Sequence, residues 1–255
     1  HGLPSNNISD LFWDRDNVLW IGTNRGISRF DGARFLNFSE RDGLANDYVT
    51  SLLRDSRGYM WIGTHEGLSR YDDHWLVNYT KASGLAGGPV VSVFCDSEDN
   101  LWAGSFLEDS QSEGLSRFDG AEFARFSTHE GLAVNNILSF AQGEKGEIWL
   151  GTDSSEVSLL RGDRIVEHRS QGVEGLVNVI VFTESGEQWI GTNWGPQRYD
   201  QEKKEFTLLP GFTEMHSTYD ILRAADGRYW FATGVGVHAS DGEDLTQYNP
   251  DSGLA

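Results

Sequence analysis

One cysteine, Cys95, stands in 255 residues, so no intramolecular disulfide can form and cysteine usage leaves the redox compartment open. No run is long and apolar enough to span a bilayer. A secretory leader is also missing, which is expected of either a cytosolic protein or a trimmed chain. Helical periodicity is not sustained over three turns anywhere, and long alanine and leucine runs are few among 30 glycines. These absences exclude a helical solenoid or a coiled coil. Basic residues are scarce: 20 Lys and Arg against 39 Asp and Glu give a net charge of −19. Such a surface repels phosphates, so nucleic acid and anionic membranes are not expected partners. The acid reads as solubility plus Asp-rich hairpin turns.

What the sequence does have is a repeat. The strings LWIGT, MWIGT, LWAGS, IWLGT, QWIGT and YWFAT carry Trp20, Trp61, Trp102, Trp149, Trp189 and Trp230, at intervals of 41, 41, 47, 40 and 41 residues. The long interval holds an insertion, Phe106–Gly114. Each unit runs from an apolar stretch (VTSLLRD) through a turn (DSRG), the tryptophan string, a loop ending in glycine, a stretch such as GLSRYD, and a short aromatic end (LVNY). Four β-rich runs per forty-odd residues, separated by Gly, Asp and Asn turns, make one propeller blade. A lone blade leaves both faces exposed, and stacking on neighbours buries them. The expectation is an all-β fold: one domain over residues 1–255, a six-bladed β-propeller of four-stranded antiparallel blades. The blades fall at about 2–42, 43–83, 84–130, 131–171, 172–210 and 211–252. The Gly-Leu pair recurs at blade junctions, at Gly2–Leu3, Gly43–Leu44, Gly84–Leu85 and Gly131–Leu132. Six whole units are therefore expected, with all four strands of a blade contiguous and the ring closed by blade one on blade six, without a shared blade.

The segment NNISDLFWDRDNVLWIGTNRGISRFDG, with its GL-x-x-N connector, resembles the two-component regulator propeller repeat. Unit six departs from it, with Ala232 for the glycine of LWIGT and VGVHASDG for GLSRFDG. The resemblance implies the extracytoplasmic sensor domain of a bacterial signalling protein, periplasmic or extracellular. Signalling domains of a parent protein would be its partners, and some relatives recognise glycan fragments.

Comparing the units with one another separates scaffold from candidates. The six tryptophans, the recurring glycines, the third-strand arginines (Arg29, Arg70, Arg117, Arg198) and the turn acids (Asp14, Asp55, Asp96) recur, so they serve the fold. The arginines are expected to pair with a carboxylate or a carbonyl. Residues that differ between blades gather at one end, in the loops after LWIGT and in the connectors. The ligand-binding candidates there are Asn24, Arg25, Tyr48, His65, Glu66, Asn193, Trp194 and His216, with Met215 beside them. Aromatic faces stack on sugar rings, and amides and charges fix hydroxyls, so the expected ligand is a small polar molecule or an oligosaccharide. Trp194 leads, because its counterparts are Arg25, Glu66, Ser154 and Val235. In the first strands Asp10, Ser51, Ser92, Ser139, Val179 and Asp220 form one column, which reads as the lining of a water-filled channel. Asp10 and Asp220 could hold a cation there or raise each other's pKa, although two solvated acids are the simpler reading.

The sequence holds no nucleophile elbow, no HExxH and no phosphate loop, so no cofactor, metal or catalytic residue is expected. The leading function is a non-catalytic sensory or binding module. The alternatives are a propeller lyase or hydrolase acting on a glycan or lactone, using members of the set His65, Glu66, Tyr48, His129 and His216, and a protein-interaction scaffold.

Overall fold

A computed structural model describes residues 2–107, 112–213, 216–240 and 244–252. The chain is a six-bladed β-propeller. It forms six four-stranded sheets, each made of four consecutive antiparallel strands, and no sheet borrows a strand from another part of the chain. The described residues contain no α-helix; short 3-10 turns follow the fourth strand in blades one, two, three and six. The chain divides into two compact units, His1–Ile137 and Leu138–Ala255.

The first hairpin of each blade turns on one fixed chemistry. In blade two Asp55 Oδ1 accepts the backbone N–H groups of Arg57 and Tyr59, and Gly58 takes the left-handed conformation (φ 90°) that closes the turn. Asp14 and Asp96 act alike. The second oxygen of each acid accepts the indole N–H of the same blade's tryptophan, at 3.3 Å for Trp20, 2.8 Å for Trp61 and 2.8 Å for Trp102. Those rings are buried, so their N–H groups need this partner.

Pairing then slips by one residue within the first hairpin. In blade one Ile8 opposes Thr23 while Asp10 opposes Gly22. Blades two, three, five and six repeat the slip. A bulge of this kind breaks the alternation of a strand. Positions one and four of the first strand thereby share the face turned to the preceding blade. Val49 and Leu52 of blade two lie in one apolar cluster with Trp20 and Ile27 of blade one. Val90 of blade three lies with Trp61 and Leu68 of blade two. In the second unit Val177 and Ile180 join Trp149 and Leu159, and Ile221 joins Trp189. The core is therefore a series of blade–blade seams, each built around one tryptophan.

Side chains also stitch neighbouring first strands. Thr50 Oγ1 donates to the Val90 carbonyl, Ser92 Oγ to Ile137 (3.3 Å), Ser139 Oγ to Val177 (3.0 Å) and Asn178 Nδ2 to Thr218 (3.0 Å). Three of the four third-strand arginines also meet an aromatic ring. Arg29, Arg70 and Arg117 lie over the tryptophans of their own blades, 5.8–5.9 Å from the ring centroids. Cross-strand pairing sets the two residues opposite each other, as with Trp61 and Arg70, and the Arg70 guanidinium lies closer still to Tyr59, 4.5 Å from its ring centroid.

Candidate functional site

The last residue of the LWIGT string organises the variable loops. Thr23, Thr64, Thr192 and Thr233 are hydroxyl donors to the carbonyl of the glycine three residues on, at 2.7–3.0 Å. In blades one, five and six the same oxygen accepts the N–H of the residue between: Arg25 at 3.1 Å, Trp194 at 3.1 Å and Val235 at 3.4 Å. Gly26, Gly67 and Gly236 follow at positive φ, where a β-carbon would run into the carbonyl at the end of the fourth strand. The turn is thus fixed by backbone groups and one buried hydroxyl, and the variable side chain is carried outward. The recurrence of Thr or Ser as the last residue of each tryptophan string is the sequence signal for this clamp.

In the first unit the loop of blade two holds His65 and Glu66, both exposed. His65 stacks on Tyr48 of the connector, with ring centroids 3.9 Å apart and planes 20° from parallel, and its N–H donates to the Tyr48 carbonyl. Tyr48 is itself exposed. In blade one Arg25 is exposed and Asn24 is half-buried, with its N–H on the Asn7 carbonyl. A cleft of about 460 Å³ lies at the same end of blades two and three, lined by Lys81, Glu113, Arg125, His129, Glu130 and Asn135, among others. Glu113 accepts from Lys81 and from the Gly87 N–H, and these bonds hold its carboxyl below the usual range. Sequence reasoning missed this cleft, because Lys81 and Arg125 meet Glu113 only through folding.

In the second unit Trp194 is 45% exposed. Asn193 Oδ1 accepts the Leu176 N–H at 2.7 Å, and Ser217 Oγ donates to the Asn193 carbonyl at 2.9 Å. Gly175, at φ 83°, makes room for the loop: a β-carbon there would collide with the Asn193 amide and the Trp194 ring edge. Asn193 therefore braces the platform while Trp194 is displayed on it. His216 turns inward, with Nε2 3.2 Å from Thr213 Oγ1 and its ring beside Phe212 and His238. His238 is buried, and burial, with His216 as a lesser influence, pulls its pKa below the usual histidine value. Met215 and residues 108–111 of the insertion lie outside the described residues.

In the polar column of the first strands Asp10 and Ser92 are half-buried and Asp220 is exposed. Ser51 and Ser139 are buried, and Ser92 and Ser139 are engaged with the next strand's carbonyls. Asp10 accepts the N–H groups of Leu11 and Leu52, and Asp220 that of Ile221. No group of three His, Cys, Asp or Glu side chains placed to hold a metal ion occurs among the described residues.

At the opposite end of the first three blades a cleft of about 440 Å³ is lined by Asp14, Asp16, Arg54, Asp55, Cys95, Asp96 and Asp99, among others. Burial and the surrounding aspartates push the Cys95 thiol up to about 11.

Residues 2–25, 43–66 and 131–154 match the family described as the two component regulator propeller. The matched stretches lie in blades one, two and four. Among solved structures the chain is similar to the extracellular domain of a hybrid two component system from B. thetaiotaomicron. The TM-score is 0.83 at 19% identity, over 97% of this chain and 35% of that one. The extracellular domain of a one component system from the same organism gives 0.76 at 19% identity, over 96% and 33%. The chain thus spans about a third of the length of either. Virginiamycin B lyase from Staphylococcus aureus, an inactive variant with quinupristin, gives 0.75 at 13% identity over 97% and 86%. At these identities the likeness is one of fold. No curated protein matches the sequence significantly.

Proposed function

We propose that this chain is a non-catalytic, ligand-binding sensory propeller of an extracytoplasmic signalling receptor, and that a polar ligand such as an oligosaccharide stacks on Trp194. The carrying observation is that this repeat-breaking indole is 45% exposed on a loop whose conformation is set by Thr192, Asn193, Gly175 and Ser217. A rigid, open aromatic face binds at little cost in ordering. The match to two-component regulator propeller repeats supports a sensory role. In the first unit, Tyr48 and His65 form a stacked aromatic pair at the variable end.

The enzyme reading draws on the fold shared with virginiamycin B lyase. Acid–base chemistry needs two groups within hydrogen-bond reach of one reacting atom. The histidines at the variable end lie apart in role: His65 is stacked on Tyr48, His129 sits in a capped 3-10 turn and His216 is held by Thr213. This arrangement supports binding over turnover.

The test is a thermal-shift screen against neutral and acidic oligosaccharides. A ligand at a hundredfold excess over its Kd adds about 2.7 kcal/mol. The expected result is a shift that Trp194→Ala removes without lowering the unliganded Tm. Appearance of new reducing ends in the mixture would establish an enzyme instead. Silence across sugars together with capture of a defined signalling domain would favour a scaffold.

A further inference from the structure

The cleft shared by blades two and three of the first unit departs from the repeat at its lining. Strand pairing puts Arg125 opposite Ser116 in blade three, where blade one has Asn37 opposite Ser28 and blade two has Asn78 opposite Ser69. Each asparagine is consumed by the fold. Its Oδ1 accepts the serine hydroxyl, at 2.7 and 2.8 Å, and its Nδ2 donates to the carbonyl of Gly2 or Gly43, at 3.0 Å in both. Ser116 still accepts the Ala86 N–H at 2.7 Å, as Ser69 accepts that of Ala45 at 2.9 Å. The connector is therefore held without Arg125, and that side chain lines the cleft instead. Glu113 is the second departure. It precedes Gly114 as Arg25, Glu66, Trp194 and Val235 precede their glycines. Yet it is half-buried and bonded to Lys81 and to the Gly87 N–H.

The lining has donors to spare. Arg125 Nη1 lies 3.6 Å from Glu113 Oε2, an ion pair too long for a hydrogen bond. Among the described residues the Arg125 guanidinium makes no hydrogen bond. Asn135 Oδ1 accepts the Thr128 N–H at 2.9 Å, and its Nδ2 donates to no described group. Glu130 spends one oxygen, Oε2, on the N–H and hydroxyl of Ser127, and its Oε1 accepts from no described group.

We propose that this cleft binds a hydroxylated carboxylic acid, with its carboxylate on the Arg125 fork and its hydroxyls on Asn135 and Glu130. A planar guanidinium presents paired N–H groups that match the two oxygens of a carboxylate. Lys81 adds a second positive charge to the same cleft, on a chain whose net charge is −19. Glu113 and Glu130 lie there too, so a single negative charge is accommodated where the double charge of a phosphate is repelled. An open amide donor and an open carboxylate oxygen are partners for hydroxyls and are wasted on an apolar body. The volume of about 460 Å³ falls within the range of small-molecule sites. The cleft shares no residue with the Trp194 platform.

The test is titration calorimetry with gluconate and glucuronate, each against its uncharged counterpart, sorbitol or glucose. The expected result is that an acid binds about tenfold or more tightly than its counterpart, the worth of a hydrogen bond to a charged group. Arg125→Asn installs the residue of blades one and two, so it should remove that preference without lowering the Tm. Arg125→Lys keeps the charge and loses the fork, so it should retain only part of the preference. Trp194→Ala should leave it intact, which separates this site from the sensory platform. The proposal is overturned if neither acid binds the intact protein, if the neutral counterparts bind equally well, or if Arg125→Asn and Arg125→Lys both bind as the parent does. Competition by inorganic phosphate or sulfate as strong as that of the acids overturns it too, since that marks an unspecific anion patch.

Discussion

Trp61 Nε1 donates to Asp55 Oδ2 at 2.8 Å, tying the buried ring of one strand to the turn that precedes it. The same carboxylate caps that turn through two backbone N–H groups. Asp55→Ala should therefore destabilise the protein by about 1–3 kcal/mol, the cost of an unmet buried donor plus a lost cap. Calorimetry against the parent checks this, and a loss below a few tenths would refute the linkage.

Blade four has glycine, Gly143, where blades one to three have the acid, and Trp149 Nε1 has no hydrogen-bond partner. Gly143→Asp combined with Glu147→Asn copies the pairing of Asp96 and Asn100 in blade three. The second change is needed because the new β-carbon would press on the Glu147 carboxylate. A gain of about 1 kcal/mol is expected, read from the urea midpoint.

Acid should weaken the first unit through Asp14. Burial acts to raise its pKa, but hydrogen bonds from the Asp16 N–H, Arg54 and Trp20, with the charge of Arg54, outweigh that and hold it below 3.8. A carboxyl lowered in the folded state contributes stability that is full above its unfolded value and is lost as pH falls through its folded one. Urea midpoints should thus be steady for this group above about pH 4 and decline below it. Arg54→Met should shrink that decline.

Cys95 should be a poor nucleophile. Its thiol is pushed up to about 11, first by burial and then by Asp99, Asp55 and Asp96. Only the thiolate reacts, so iodoacetamide labelling at pH 8 should be far slower in the native protein than after denaturation, and should quicken as pH is raised. Equal rates at pH 8 would refute it.

The blades were legible because their markers are local: the tryptophan recurs in every unit, and in units one to three the turn acid and the glycine lie within a few residues of it. Trp194 was legible by contrast with its counterparts. The arginine-on-tryptophan contacts were not, since Trp61 and Arg70 meet only through strand pairing and either partner chemistry satisfies a guanidinium. The bulge was hidden because VTSLLR reads equally well with or without a slip. His216 looked like a loop histidine and proves to be half-buried, because its neighbours Phe212 and His238 come from elements whose proximity no spacing records.

The threonine clamp separates two properties that most loops confound. Arg25, Trp194 and Val235 are carried on identical backbone bonds despite having nothing chemically in common. Substitution at these places alters what a blade shows without altering how the blade is made. The displayed side chain can therefore be exchanged, or grafted, one blade at a time on an unchanged frame.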